Sequence, residues 1–207
     1  MTLQNIPPLC FITEAADSPS MLAQCRAAAR GGAGWIQLRH KTLPDTEFAA
    51  LARQIMAEIA PYDAKLLVND RIDVAIEVGA PGLHIGQGDG DPAEIRRRIG
   101  SGMLLGLSVE EAEHIQAVPD GVDYLGVGPI YATGSKPDHA APIGVKGFAK
   151  IASLTPLPCL AIGGVTERDA AAIKRAGGAG LAVISAISRA PDMEVATRTL
   201  LNTWREA

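Results

Sequence analysis

The chain has 207 residues, a formal net charge of -4, 47% hydrophobic residues and only 4% aromatics. That is room for one sizeable core, somewhat under the ~250 residues usual for a full barrel, built from Ala, Leu, Ile and Val. The charge excludes the basic stripe of a nucleic-acid footprint, and no uninterrupted apolar stretch reaches the ~18 residues of a membrane span.

Met1–Pro8 has neither a positive region nor a long apolar one, so no signal peptide is expected. The first apolar run, Leu9–Thr13, leads to a helical pattern over Ser20–Arg30 that Gly31 and Gly32 stop. The second run, Gly34–Leu38, precedes a helix over Asp45–Ala60, which follows Pro44 and has an acidic first turn. The third and fourth runs, Lys65–Val68 and Gly82–Ile85, are followed by helices over Arg71–Val78 and Pro92–Ile99. Pro92 suits a first helical position, with Asp91 as its cap. Leu104–Leu107 precedes a helix over Val109–Val118, and Tyr124–Val127 precedes one over Val145–Ser153. Cys159–Ile162 precedes a helix over Glu167–Ala176, capped by Thr166 and stopped by Gly177 and Gly178. Gly180–Ile184 and a helix over Met193–Trp204 complete the series.

The eight runs do not alternate polar with apolar, so they read as parallel strands buried on both faces. Eight strand–helix units predict a closed (β/α)8 TIM barrel forming a single domain over 1–207. A doubly wound open sheet is the alternative. It needs edge strands, and no run is charged or proline-broken enough to serve as one. Cys10, Cys25 and Cys159 lack metal spacing and read as free, buried thiols of a reducing, cytoplasmic compartment.

In a barrel the loops after the strands carry the site. Those positions hold Gln37, Arg39, His40 and Lys41; Asn69, Asp70 and Arg71; His84, Gln87 and Asp89; Ser108; Thr133, Ser135 and Lys136; Gly163 and Gly164; and Ile184 and Ser185. Arg39 and Lys41, two residues apart in an extended segment, point the same way and suit a polyanion. Asp70 and Asp89 end neighbouring strands and could share Mg2+, or Asp70 could cap a helix and Asp89 decorate a turn. Gly163 and Gly164 with Ser185 suit a phosphate cradle. Gly126, Gly128 and Pro129 would shape a tight exit, and the small polar residues after them suggest a flap that excludes water. His84 reads as a core histidine or a group behind the site. His114 and His139 read as exposed, Trp35 as packing, and Trp204 as covering the barrel bottom or an interface. No nucleophile–base triad and no zinc cluster emerges.

These segments resemble the thiamine-phosphate synthase family. The likeness runs from Leu9 to Ile187 through Gln37-Leu38-Arg39 with Lys41, Asn69-Asp70-Arg71, and His84-Ile85-Gly86-Gln87 with Asp89. It continues through Asp123-Tyr124 with Gly126 and Gly128-Pro129, Thr133 to Lys136, Gly163-Gly164, and Ile184-Ser185-Ala186-Ile187. The resemblance implies the joining of 4-amino-2-methyl-5-(diphosphooxymethyl)pyrimidine to 4-methyl-5-(2-phosphooxyethyl)thiazole, with Mg2+ as cofactor. By that likeness Asp70 and Asp89 hold Mg2+, and Arg39, Lys41, Asn69 and Lys136 contact the diphosphate. Gln37 and Ser108 line the pyrimidine side, while Thr133, Ser135, Gly164, Ile184 and Ser185 receive the thiazole phosphate. Arg39, Lys41, Ser108 and Lys136 are the expected catalytic groups. Two phosphorylated small molecules are the expected partners, with neither nucleic acid nor membrane, and a homodimer the expected assembly.

Three positions depart from the family pattern: His40, Ser135 in place of threonine, and the opening Cys10–Glu14. The rival readings are a thiazole tautomerase of the same superfamily, a non-catalytic phosphate-ligand barrel, and another phosphosugar barrel such as an epimerase. The tautomerase branch tends to carry histidine where Gly128-Pro129 stands here, and it needs no diphosphate set.

Overall fold

The computed structural model describes residues 6–134 and 140–207. Among them the strands are β1 (Leu9–Ile12), β2 (Trp35–Leu38), β3 (Lys65–Asn69), β4 (Gly82–Ile85), β5 (Leu104–Val109), β6 (Tyr124–Val127), β7 (Cys159–Ile162) and β8 (Gly180–Val183). Each pairs in parallel with the next, and β8 returns to β1 through Leu9–Leu181, Cys10–Ala182 and Phe11–Val183. The sheet is a closed barrel in chain order, so the open-sheet alternative falls.

The α-helices are α1 (Ser18–Arg30), α2 (Asp45–Ile59), α3 (Ile72–Val78), α4 (Pro92–Ile99), α5 (Gly144–Ala152), α6 (Ala170–Arg175), α7 (Ser185–Ser188) and α8 (Met193–Glu206). Asp91 caps α4 by accepting from Ala93 N at 3.0 Å. Thr166 and Asp169 form a capping box ahead of α6, around a 3-10 turn over Glu167–Asp169.

The fifth crossover departs from expectation. The α-helix expected over Val109–Val118 is a 3-10 helix over Ala112–Ala117, because β5 runs on through Val109 and uses the residues that would have started it. Pro119 follows at once and disfavours a helical conformation at Val118. The tight turn stacks residues three apart, so His114 pairs with Glu111 at 3.1 Å and is half-buried. That corrects the expected exposed, partnerless His114. His139 lies outside the described residues.

Period-two alternation splits the apolar strand residues between two cores. One alternate set, with Leu9, Phe11, Ile36, Leu66, Leu83, Leu105 and Leu125 in it, faces the helices. Cys10, Ile12, Trp35, Leu67, Tyr124, Leu160 and Ala182 fill the barrel interior. Trp35 packs on Tyr124 there, ring centroids 4.7 Å apart. Trp204 belongs to the outer core, with Lys174 Nζ over its ring and donating to its carbonyl at 3.0 Å, and does not plug the barrel bottom.

Candidate active site at the strand ends

The same alternation delivers the polar side chains. Positions of interior parity at the C-terminal ends of successive strands are Gln37, Asn69, His84 and Ser108, and all four line one cavity of about 440 Å³. Arg39 and Lys41 continue the parity of Gln37 beyond β2 and line the same cavity. Thr13 pins the Arg39 backbone: its Oγ1 accepts from Arg39 N at 3.0 Å and donates to Arg39 O at 3.1 Å. His40, of opposite parity, turns back to accept from Leu43 N at 3.0 Å through Nδ1.

Asp70 has φ +56, a left-handed conformation that Asp and Asn tolerate better than most residues. Its carboxylate accepts from Lys41 Nζ. Asp89 lines the cavity, and its Oδ2 accepts from Gly86 N at 2.6 Å. Among the described residues no group of three or more His, Cys, Asp or Glu is placed to hold a metal. Mg2+ does not require one, since it keeps several waters and uses one or two carboxylates plus substrate phosphates. Asn69 Oδ1, on the residue before Asp70, is a buried oxygen with no hydrogen-bond partner. Carboxylates after the neighbouring strands β3 and β4, with an unpartnered buried oxygen at the end of β3, have the donor chemistry such an ion takes.

The opposite arc of the mouth is built differently. Gly163 and Gly164 have φ +88 and +68. A Cβ on Gly163 would fall within 3.0 Å of Pro129, and one on Gly164 within 3.0 Å of Tyr131. Glycine is therefore required twice, by conformation and by the close approach of the β6 and β7 exits. Tyr131 ties these exits together, its N donating to Gly163 O and its hydroxyl to Asp169 Oδ1, both at 2.9 Å. Ile184 and Ser185 line the cavity, and Ser185 opens α7, a short helix that no periodic signal announced. Thr133 also lines the cavity. Ser135 and Lys136 lie outside the described residues.

Sequence reasoning passed over part of the interior. Tyr124 is fully buried, and its hydroxyl lies 2.9 Å from His84 Nδ1, while His84 Nε2 lies 3.0 Å from Ser108 Oγ. Burial lowers the His84 pKa to about 4, so the ring is neutral near pH 7. Gln87 Nε2 donates to Ser108 O at 2.6 Å. Gly126 does not shape the exit, because it sits below it against the His84 ring. The signal available in the sequence was parity, since Asn69, His84, Gly106 and Tyr124 lie in one register row across four strands.

One end of this cavity is cationic and carboxylate-bearing, the other a glycine-lined cradle, and residues 9–187 match the model of the thiamine monophosphate synthase family. The chain belongs to that family. It is 44% identical over 187 residues to the thiamine-phosphate synthase of Roseiflexus castenholzii, covering 90% of this chain and 82% of that one. It is 41% identical to the thiamine-phosphate synthase of Chlorobium limicola, covering 96% and 94%. The thiamine phosphate pyrophosphorylase structure from Pyrococcus furiosus superposes with a TM-score of 0.83 at 34% identity, covering 96% of this chain and 95% of that one.

Proposed function

We infer that this chain joins 4-amino-2-methyl-5-(diphosphooxymethyl)pyrimidine to 4-methyl-5-(2-phosphooxyethyl)thiazole, releasing thiamine phosphate and diphosphate. The observation that carries the reading is the division of one cavity into two arcs. Arg39, Lys41, Asn69 and Asp89 stand on the β2–β4 side, and Gly164, Ile184 and Ser185 on the β7–β8 side. A reaction between a diphosphate ester and a phosphate ester needs both arcs facing one space.

Arg39 and Lys41 receive the diphosphate, Gln37 and Ser108 flank the pyrimidine, and Thr133 with the Gly164–Ser185 arc seats the thiazole phosphate. Asp70 and Asp89 would hold Mg2+, which when bound supplies positive charge to the departing diphosphate. Lys136 and Ser135 complete the set in this reading. The C–O bond to diphosphate breaks as the pyrimidine amino group feeds electrons towards the methylene carbon, and the thiazole nitrogen then attacks that carbon. This chemistry needs charge stabilisation and alignment rather than a protein nucleophile. The apolar wall of Ile12, Ile162, Val183 and Ile184 limits water at the cation.

Among the described residues no helix is long and apolar enough to cross a membrane. Cys10, Cys25 and Cys159 are free and buried, which supports a reducing, cytoplasmic setting.

The test is an end-point assay of the purified protein with both phosphorylated precursors and Mg2+, reading thiamine phosphate by mass. Thiamine phosphate should form, vanish with EDTA, and fall by at least ~100-fold in Asp89→Ala, the scale on which removing one transition-state stabilising group acts. Metal-independent tautomerisation of a thiazole carboxylate phosphate, with no coupling, would transfer the chain to the tautomerase branch.

A further inference from the structure

Ser108, His84 and Tyr124 form a chain of hydrogen bonds running from the cavity into the barrel interior. A serine 3.0 Å from an imidazole that is itself held by a third group has the outline of a nucleophile–base triad. The direction of the protons separates that possibility from its opposite.

Tyr124 is fully buried, and burial raises its pKa well above the ordinary phenol value, so it keeps its proton. A buried hydroxyl that donates to nothing is costly. Among the described residues the partner of Tyr124 Oη is His84 Nδ1, at 2.9 Å. The phenol therefore donates to Nδ1, which must carry the imidazole lone pair. A neutral imidazole then has its single proton on Nε2, aimed at Ser108 Oγ. Nε2 cannot accept the serine proton, so Ser108 is not activated as a nucleophile. With one lone pair of its oxygen engaged by Nε2–H, the Ser108 hydroxyl is left to direct its own proton into the cavity.

We propose that Tyr124 and His84 are positioning residues that lock the His84 tautomer and so make Ser108 a hydrogen-bond donor towards the pyrimidine diphosphate substrate. The backbone is arranged for this contact. In the register row, Gly106 lies between His84 and Tyr124. A Cβ there would fall within 3.0 Å of Tyr124 Cζ and Oη, so only glycine lets the two rings meet across β5. Gly126 leaves the space beside His84 Cε1 that a side chain would restrict.

The experiment has a spectroscopic and a kinetic arm. In the full-length protein labelled with 15N-histidine, long-range 1H–15N correlation identifies which ring nitrogen of each histidine carries the proton. His84→Gln assigns the signal. The expected result is an Nε2–H tautomer for His84. In the kinetic arm, which rests on the coupling activity inferred above, Tyr124→Phe should lower kcat about 10-fold, with KM for the pyrimidine diphosphate within about twofold. In a Ser108→Ala background the same substitution should change kcat by less than about twofold, because the hydroxyl it orients is gone. An Nδ1–H tautomer, or equal kcat losses in the two backgrounds, overturns the proposal. If the wild-type protein forms no thiamine phosphate, the inferred activity fails, and the tautomer still decides the lock.

Discussion

Gly106 shows how much a missing side chain can do. Tyr124 reaches across it to His84, and a methyl group there would overlap the tyrosine ring. Gly106→Ala should destabilise the barrel by about 2 kcal/mol through overpacking, read as a lower urea midpoint at unchanged m-value. The same substitution should lower activity as His84 and Ser108 shift. Gly88, where a Cβ would meet nothing within 4 Å, provides the control, and Gly88→Ala should leave the urea midpoint unchanged. Residue identity alone announced the cations and carboxylates at the strand ends. It could not announce the Tyr124–His84 contact, because hydrogen bonding between residues 40 positions apart depends on the register of three strands.

At the scale of elements, the strands were legible because apolar runs bounded by turn residues have few other readings, and α1, α2, α4 and α8 were legible by periodicity and caps. The 3-10 crossover and α7 were not, because segments of four to six residues carry too little periodic signal. Element junctions also depend on side chains that propensity ignores. Arg96 in α4 donates to Gly121 O and Met103 O at 2.7 Å, to Gly100 O at 2.5 Å and to Asp123 Oδ2 at 2.6 Å, and that same Oδ2 accepts from Leu105 N. One guanidinium thus ties the end of α4 to the starts of β5 and β6. Lysine has a single nitrogen and cannot span these acceptors. Arg96→Lys should cost about 2 kcal/mol in urea unfolding, while KM for either substrate stays near the wild-type value, since Arg96 does not line the cavity.

For the molecule as a whole, burial of a titratable group links stability to pH. His84 has a folded-state pKa near 4, against 6.5 for the ordinary imidazole. Between those values the unfolded chain binds a proton that the folded chain does not, so stability rises with pH over that interval and is full above it. The shift corresponds to roughly 3 kcal/mol. In chemical denaturation at a series of pH values, His84→Gln should flatten the slope between about pH 4.5 and 6.5 relative to wild type. An unchanged slope would show that the imidazole is not buried as a neutral ring.

Length, patterning and the order of eight buried runs were enough to specify the barrel, because parallel strands separated by helices have few ways to hide both faces. The same local information placed Arg39, Lys41, Asp70, Asp89, Gly163 and Gly164 at strand ends, since chemistry-bearing residues there follow directly from where each run stops. What only the tertiary structure decided is which strand residues face inward together and which atoms meet. It joined the pinned Arg39 backbone to Thr13, set Lys41 on Asp70, left Asn69 Oδ1 without a partner, and connected Ser108 through His84 to Tyr124. These relations depend on strand register and barrel closure, which are set by the packing of all eight strands at once and by no local stretch of the chain.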